Sequence, residues 1–530
     1  MPSTRSRTHR VGLISGLLGV LWGAPSFTGA QETCEFVAPG NDVLFTRAPF
    51  TYVSNPHMTC EGGVEIWADS AVVNRDQSMS LLLGSVRYAD ESRELRSVEA
   101  RYFYEVQRLQ ARGEVQVVNF EDSSGVRNGD LVYLRQTDTR EVEEMTFTTG
   151  SDGLRPRATV YPKRAEPSEE PAQDGEPGDS VAIEPDEYIV LGDRLFFRGD
   201  SYFAATGTVE IERDSLFAFA DSAEYSGDEG LLVLDGSARV EGSSYDLSGR
   251  TITLASATDG TDEIHALHEA VLTGEDLRVT APRIILRLVD GEIDRMVAVP
   301  LPDDADADSA SAAEPPQRPL AISEEIELVG DSLDLAAPEG VIERIFAAGT
   351  ARSVSSGRPE LNIEALPDIA RTDWIEADSI EVMLVPATVD PDSAVADTAA
   401  TPGASDDYEV DRIIAKVRAR SLYRLVPSDS TAVVGVDPPA VSYMVADQIT
   451  IIMVDGQADR VESVGQVSGW HLEPLKGPPP DSVSSPAAPD SVLVPTPAST
   501  VPPQGNGGDG RPLGAYLSPA SPTPQRWRVQ

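Results

Sequence analysis

Cys34 and Cys60 are the only thiols in the chain, and both lie close to its N-terminus. An even pair favours a disulfide in an exported chain, with two free buried thiols as the alternative. The histidines, His9, His57, His265, His268 and His471, have no ligand spacing around them. His265 and His268 would form a metal pair only on a helix, and their segment reads as strand and turn. Carboxylates are plentiful, but a catalytic pair is unique in a chain, whereas here Asp recurs at equivalent places. Each copy therefore reads as a turn residue that holds backbone amides. Asp303, Asp304, Asp306 and Asp308 lack the Gly and Glu of a calcium loop. No Ser/His/Asp set is suggested. The residues point to a non-catalytic protein with no cofactor and no metal.

What must position the two cysteines begins with an address. Arg5, Arg7, His9 and Arg10 precede an apolar run from Val11 to Trp22, and Thr28 and Ala30 suit cleavage before Gln31. Residues 1–30 read as a signal peptide, with an uncleaved anchor as the alternative, and the expected location is the periplasm. No lipobox precedes Cys34. The 42 Lys and Arg against 87 Asp and Glu give a net charge of −45, which disfavours nucleic acid and anionic membrane surfaces as partners.

The repeated Asp belongs to a pattern. Taking Asp as zero, an apolar residue stands at −3, Ala or Gly at −1, and apolar residues at +2 and +4. The strong copies centre on Asp69, Asp193, Asp221, Asp331, Asp378 and Asp447, and Asp130 is a weaker one. Arg250 and Pro282 stand at the centre of degenerate copies. Early centres are spaced by roughly 28 to 32 residues. The offsets −3 and −1 have one parity and +2 and +4 the other, so a single buried face needs a one-residue slip at the centre. That is a bulge or sharp bend, and Pro282 tolerates one.

A second mark, Gly-x-Val or Gly-x-Ala, falls between these centres at Gly84, Gly113, Gly207, Gly236, Gly349 and Gly465. Alternating strands follow it, so each repeat supplies antiparallel strand pieces, a corner and turns. Three Pro- and acid-rich insertions, 163–182, 302–318 and 386–408, and a Pro/Ser/Gly-rich tail, 476–530, read as disordered. The array divides into a first module, 31–162, and a second, 183–475.

The alternation of Ala220-Asp221-Ser222-Ala223-Glu224-Tyr225 with Gly236-Ser237-Ala238, and of Ala68-Asp69-Ser70-Ala71 with Gly84-Ser85-Val86, resembles OstA-like domains of the LptA type. The resemblance spans roughly residues 43–160 and 183–470. It implies an all-β, repetitive, antiparallel open β-jellyroll, elongated, with an apolar interior that shelters acyl chains. It further implies lipopolysaccharide or a related amphiphile as cargo, transport toward the outer membrane, and other envelope jellyroll proteins as partners through edge strands. Leu216, Tyr225, Leu247, Ile252, Val279 and Ile284 stand at the repeat's inward offsets and are the expected lipid-binding residues. Three other readings share parts of this pattern. They are a dry sandwich core in a structural repeat protein, a polysaccharide-cleaving β-solenoid, and a calcium-dependent β-roll.

Overall fold

Strand Leu216–Ser226 shows how the pattern folds. Leu216, Ala218 and Ala220 are buried, and after Asp221 the buried residues become Ala223 and Tyr225. The face changes parity at the exposed Asp because the strand slips there by one residue. The same switch occurs around Asp193, Asp331, Asp378 and Pro282.

The neighbouring strand solves the bend differently. In Tyr202–Arg213, Thr206 pairs with Ser222 and Val209 with Ala220, so Gly207 and Thr208 together oppose the single residue Asp221. Both adopt positive φ, +82° and +45°. Gly236-Ser237 opposes Arg250, and Gly349-Thr350 opposes Asp378, in the same way. The Gly-x mark, expected between corners, is therefore itself a corner. Strands crossing the bend in one direction carry a single bend residue, Asp in most and Arg250 or Pro282 in others, and those returning carry the left-handed pair.

The computed structural model describes residues 34–37, 42–161, 187–256, 261–274, 277–301, 317–323, 326–355, 361–386, 408–428, 432–454, 457–474 and 527–529. The protein is all-β, with 33 strands in one pairing network and no α-helix among the described residues. Among the described residues, no helix is long and apolar enough to cross a membrane. Two antiparallel ladders run through the chain and share the long strands, which bend from one to the other. The first sheet starts with Glu35–Phe36 beside His57–Cys60 and runs to Ser468–Pro474. The second starts at Asp42–Arg47 and runs to Gln457–Val464. Cys34 and Cys60 are disulfide-bonded across the start of the first sheet.

In one respect the pairing departs from an open jellyroll. Between the long strands Arg93–Phe103 and Tyr202–Arg213, both ladders continue as short strands interrupted at the bend. The ten strands of this stretch close a ring. The ring arises because each closing strand belongs to both sheets.

Both ladders also cross 163–182: Arg157–Val160 pairs with Tyr188–Leu191, and Glu144–Thr148 with Arg194–Arg198. The two modules expected on either side of that insertion thus share one network. Most of the segments read as signal peptide, insertions and tail lie outside the described residues. Three boundaries change. Pro386 and Tyr408 are strand ends, and Arg318 holds a corner (below). Trp527–Val529 adds a short strand to Leu472–Pro474, because that edge still offers unpaired backbone groups.

Candidate functional site

One apolar cluster fills the space between the sheets from Met58 to Ile451. All the expected lipid-binding residues belong to it. Leu216 is 7% exposed, Tyr225 3%, and Leu247, Ile252, Val279 and Ile284 0%. They face packed side chains, where an open groove was expected. A sheet face of small and branched apolar residues reaches interior density whenever the opposite sheet supplies its complement.

The sheets meet at the bends and approach again at the opposite side, the mouth, where polar residues bridge them. Arg93 starts a strand of the first sheet and is 5% exposed. It pairs with Glu143, which precedes the second-sheet strand Glu144–Thr148. Its guanidinium lies 5.2 Å from the centre of the Tyr133 ring and donates to Met145 Sδ at 3.7 Å. Tyr133 Oη donates to Glu143 Oε2 at 3.0 Å, so the latch is satisfied on both sides. Burial works against the charge on Arg93, but Tyr133 and Glu143 more than offset it and hold it above its ordinary range.

A second latch follows along the mouth. Arg213 ends a strand in the first sheet and pairs with Asp262 of the second. It also donates to Ser256 Oγ at 2.6 Å and Tyr188 Oη at 3.3 Å. Farther on, Ser243 and Ser244 donate to Glu292 at 3.0 and 3.2 Å. Buried pairs of this kind cost desolvation and are strongly destabilising when one partner alone is lost.

Between the two latches lies a cleft that encloses about 60 Å³. Its floor comes from both sheets: Val117, Val126 and Val160 from the first, and Met145, Phe197 and Phe203 from the second. Asp122, Glu143, Asp200, Tyr161 and Tyr202 stand around it, with Arg93 at one end. Insertion 163–182 leaves the fold here, and Tyr161 Oη donates to Glu187 Oε1 at 3.1 Å on the far side of it. None of the expected lipid-binding residues lines the cleft. Tyr225 is the nearest by contact, stacked on Phe203 with ring centres 5.2 Å apart.

The latch residues escaped sequence reasoning, although a signal was present. Arg93 shares parity with buried Leu95, and Arg213 with buried Val209 and Ile211. A cation at an inward position of an alternating strand marks a buried partner.

No known family profile matches the chain, and no curated protein is similar to it. Among solved structures, the chain is similar to the crystal structure of LptH, the LptA homologous periplasmic component of the lipopolysaccharide transport device from Pseudomonas aeruginosa. The identity is 18%, over 25% of this chain and 81% of that one, with a TM-score of 0.19.

Proposed function

We propose that this chain is a periplasmic lipid-binding scaffold that carries lipopolysaccharide or a related amphiphile toward the outer membrane. The observation behind this reading is the continuous apolar interior between two sheets, reached by a cleft with an apolar floor and a polar rim. Parting the sheets along an interior of that length would expose successive apolar sites for acyl chains, which suits a conduit and not an enzyme. The Cys34–Cys60 bond fits an oxidising compartment. The strands at both ends of the ladders would join other envelope β-jellyroll proteins through their edges.

A second reading has its own observation. The complete burial of Ile252, Val279 and Ile284 fits a closed structural repeat protein that holds no lipid.

Purification from the native envelope without detergent, followed by lipid extraction and mass spectrometry, separates the two. The conduit gives a co-purified amphiphile. Photocrosslinkers at Met145 and Phe203 then capture lipid in cells, whereas one at Thr253, on the opposite parity to buried Ile252, does not. An extract free of lipid with no crosslink at either position leaves the structural scaffold as the reading.

A further inference from the structure

The outer face of the first sheet carries a row of arginines. Followed through directly opposed residues, the row takes in Arg87, Arg96, Gln116, Arg127 and Arg157 on five neighbouring strands, about 4.8 Å apart. Farther along the same row stand Arg239, Arg352 and Arg420. These positions alternate with buried residues of the interior, as Arg127 does with Val126 and Arg157 with Ala158. Their side chains therefore face solvent, across the sheet from the apolar cluster.

With 87 acids to 42 bases in the chain, a carboxylate partner is the ordinary outcome for an exposed arginine, and most of the row follows it. Arg87 and Arg96 share Glu94 at 2.7 and 2.6 Å. Arg239 meets Glu241 and Asp246 at 3.0 and 3.2 Å, and Arg352 and Arg420 share Glu376 at 3.5 and 2.8 Å. Arg127 and Arg157 are the exception. They stand directly opposite each other on adjacent strands, and both are exposed. Neither has an ion pair, hydrogen bond or ring contact among the described residues. Like charges directly opposed weaken a sheet, so this pair does not serve the fold.

The next row toward the mouth shows why no carboxylate reaches them. It supplies Glu94, Glu241 and Asp246 elsewhere, but beside the two arginines it holds Val118, Gly125 and Thr159. Gly125 is bare because a Cβ would stand 2.7 Å from Val117 O, and it leaves a low place in the face. Gln116 and Thr159 border that place with neutral hydrogen-bonding groups. Asp122, in the turn before Gly125, accepts from Ser124 Oγ at 2.7 Å and pairs with neither arginine.

Two guanidiniums on neighbouring strands present two forks. One fork fills a carboxylate, whereas a phosphate monoester has three terminal oxygens and nearly two charges at neutral pH, and takes both. The net charge of −45 repels an extended polyanion, so the matching ligand concentrates its charge in one group. We propose that Arg127 and Arg157 form a binding site for the phosphate monoester of a phosphorylated sugar or polyol, with Gln116 and Thr159 taking its hydroxyls. The site lies across the sheet from the interior and holds whether or not that interior takes lipid. The same phosphate occurs free and on lipid head groups, and the test separates the two sources.

Calorimetry on the full chain uses glucose 6-phosphate, glucuronate and glucose. The phosphate is expected to bind, glucuronate at least about tenfold more weakly, and glucose not at all. Flotation with phosphatidylcholine vesicles, with and without phosphatidylinositol 4-phosphate, asks for the lipid-borne form. Vesicle binding without glucose 6-phosphate binding assigns the site to a head group. Arg127→Gln and Arg157→Gln should each weaken whichever form binds by about tenfold or more, and Lys at both positions should keep only part of the affinity. Arg239→Gln, in the same row but carboxylate-paired, should leave binding unchanged. A further readout needs no ligand: Arg157→Gln removes an opposed charge, so it should melt at or above the wild type. A lower melting temperature would show that the pair supports the fold, and binding unchanged in both Gln variants would place the phosphate elsewhere. Either result overturns the site, as does glucuronate binding as tightly as the phosphate, or no binding of either phosphate form.

Discussion

The carboxylate of Asp221 lies against the Cα of Gly236, fifteen residues later on the adjoining strand. A Cβ at Gly236 would stand 2.8 Å from Asp221 Cβ and 2.9 Å from its Cγ. The same contact joins Asp69 to Gly84, Asp193 to Gly207, Asp331 to Gly349 and Asp447 to Gly465. Each Asp therefore sits beside the glycine of the next corner, and the glycines meet two demands at once: φ near +80° and no side chain.

Substitutions separate these demands. Gly230 also has positive φ, +61°, but the nearest atom to its Cβ position is Ser256 O at 4.0 Å. Gly230→Ala should cost about 1 kcal/mol, the conformational part alone. Gly236→Ala adds a collision of two backbone-anchored groups and should cost about 3 kcal/mol or more. Urea midpoints at constant slope measure both. Equal costs would show that the Asp221 contact is loose.

Two corners lack the glycine. His268 and Glu269 hold φ of +60° and +57°, and Val417 and Arg418 hold +67° and +55°. A β-branched residue is poorly suited to that region, and Val417 is 55% exposed, so little packing is lost by removing it. Val417→Gly is expected to stabilise the protein by about 0.5–1 kcal/mol, the relieved strain exceeding the entropy that glycine adds to the unfolded chain. A lower melting temperature for Val417→Gly would refute this account of the corners.

Two further corners are braced from outside. Arg318 donates to Asp331 Oδ1 at 3.0 Å and to the carbonyls of Gly349 and Thr350 at 2.8 and 3.1 Å. Arg155 meets Asp193 at 3.1 Å, and donates to the carbonyls of Gly207, at 3.2 Å, and Thr208. Both arginines open the same short motif, Arg-Pro-x-Ala, at Arg155-Pro156-Arg157-Ala158 and Arg318-Pro319-Leu320-Ala321. Each motif leads into a short strand beside one of the interrupted stretches. Arg318→Met should cost about 1–2 kcal/mol, and Arg318→Lys should recover little of it, because an ammonium cannot fork between a carboxylate and two carbonyls. Full recovery by Lys in thermal melts would reduce the contact to simple charge.

The corners were legible because they recur: a slip in parity at Asp leaves a local mark in the strong copies, and most of their buried offsets held from Ile66 to Ile451. At Asp130, by contrast, the expected Val132 and Leu134 are only half-buried and Leu131 and Tyr133 face inward, because the left-handed pair Asn128-Gly129 makes that corner. The role of Gly-x was misread because its strand keeps the same parity on both sides of the bend, so no slip betrays it. Arg-Pro-x-Ala occurs in two copies far apart and looks like ordinary loop sequence. The cleft left no local trace. It depends on Arg93 meeting Glu143 across fifty residues, a match that only the paired sheets bring about. Whether the inner face is packed or open was equally hidden, since alternation is the same in both.

The polar network behind the first latch makes the protein sensitive to alkali. Burial pushes the Tyr88 hydroxyl well above its ordinary value of 10.0. It raises Tyr133 too, with Glu143 and Asp90 adding to burial and Arg93 opposing it. In the folded chain both hydroxyls stay protonated where the unfolded chain has lost those protons. The folded state then binds more protons, and stability falls as pH rises. The contribution is fully present below about pH 10 and is lost from there upward toward the folded values. Melting temperatures should decline from about pH 10, with tyrosinate absorbance from these two residues appearing only on unfolding. Tyr88→Phe/Tyr133→Phe should be less stable at neutral pH, since Tyr133 gives up its bond to Glu143, but should show a flatter alkaline limb. An alkaline limb as steep as in the wild type would assign the effect to other groups.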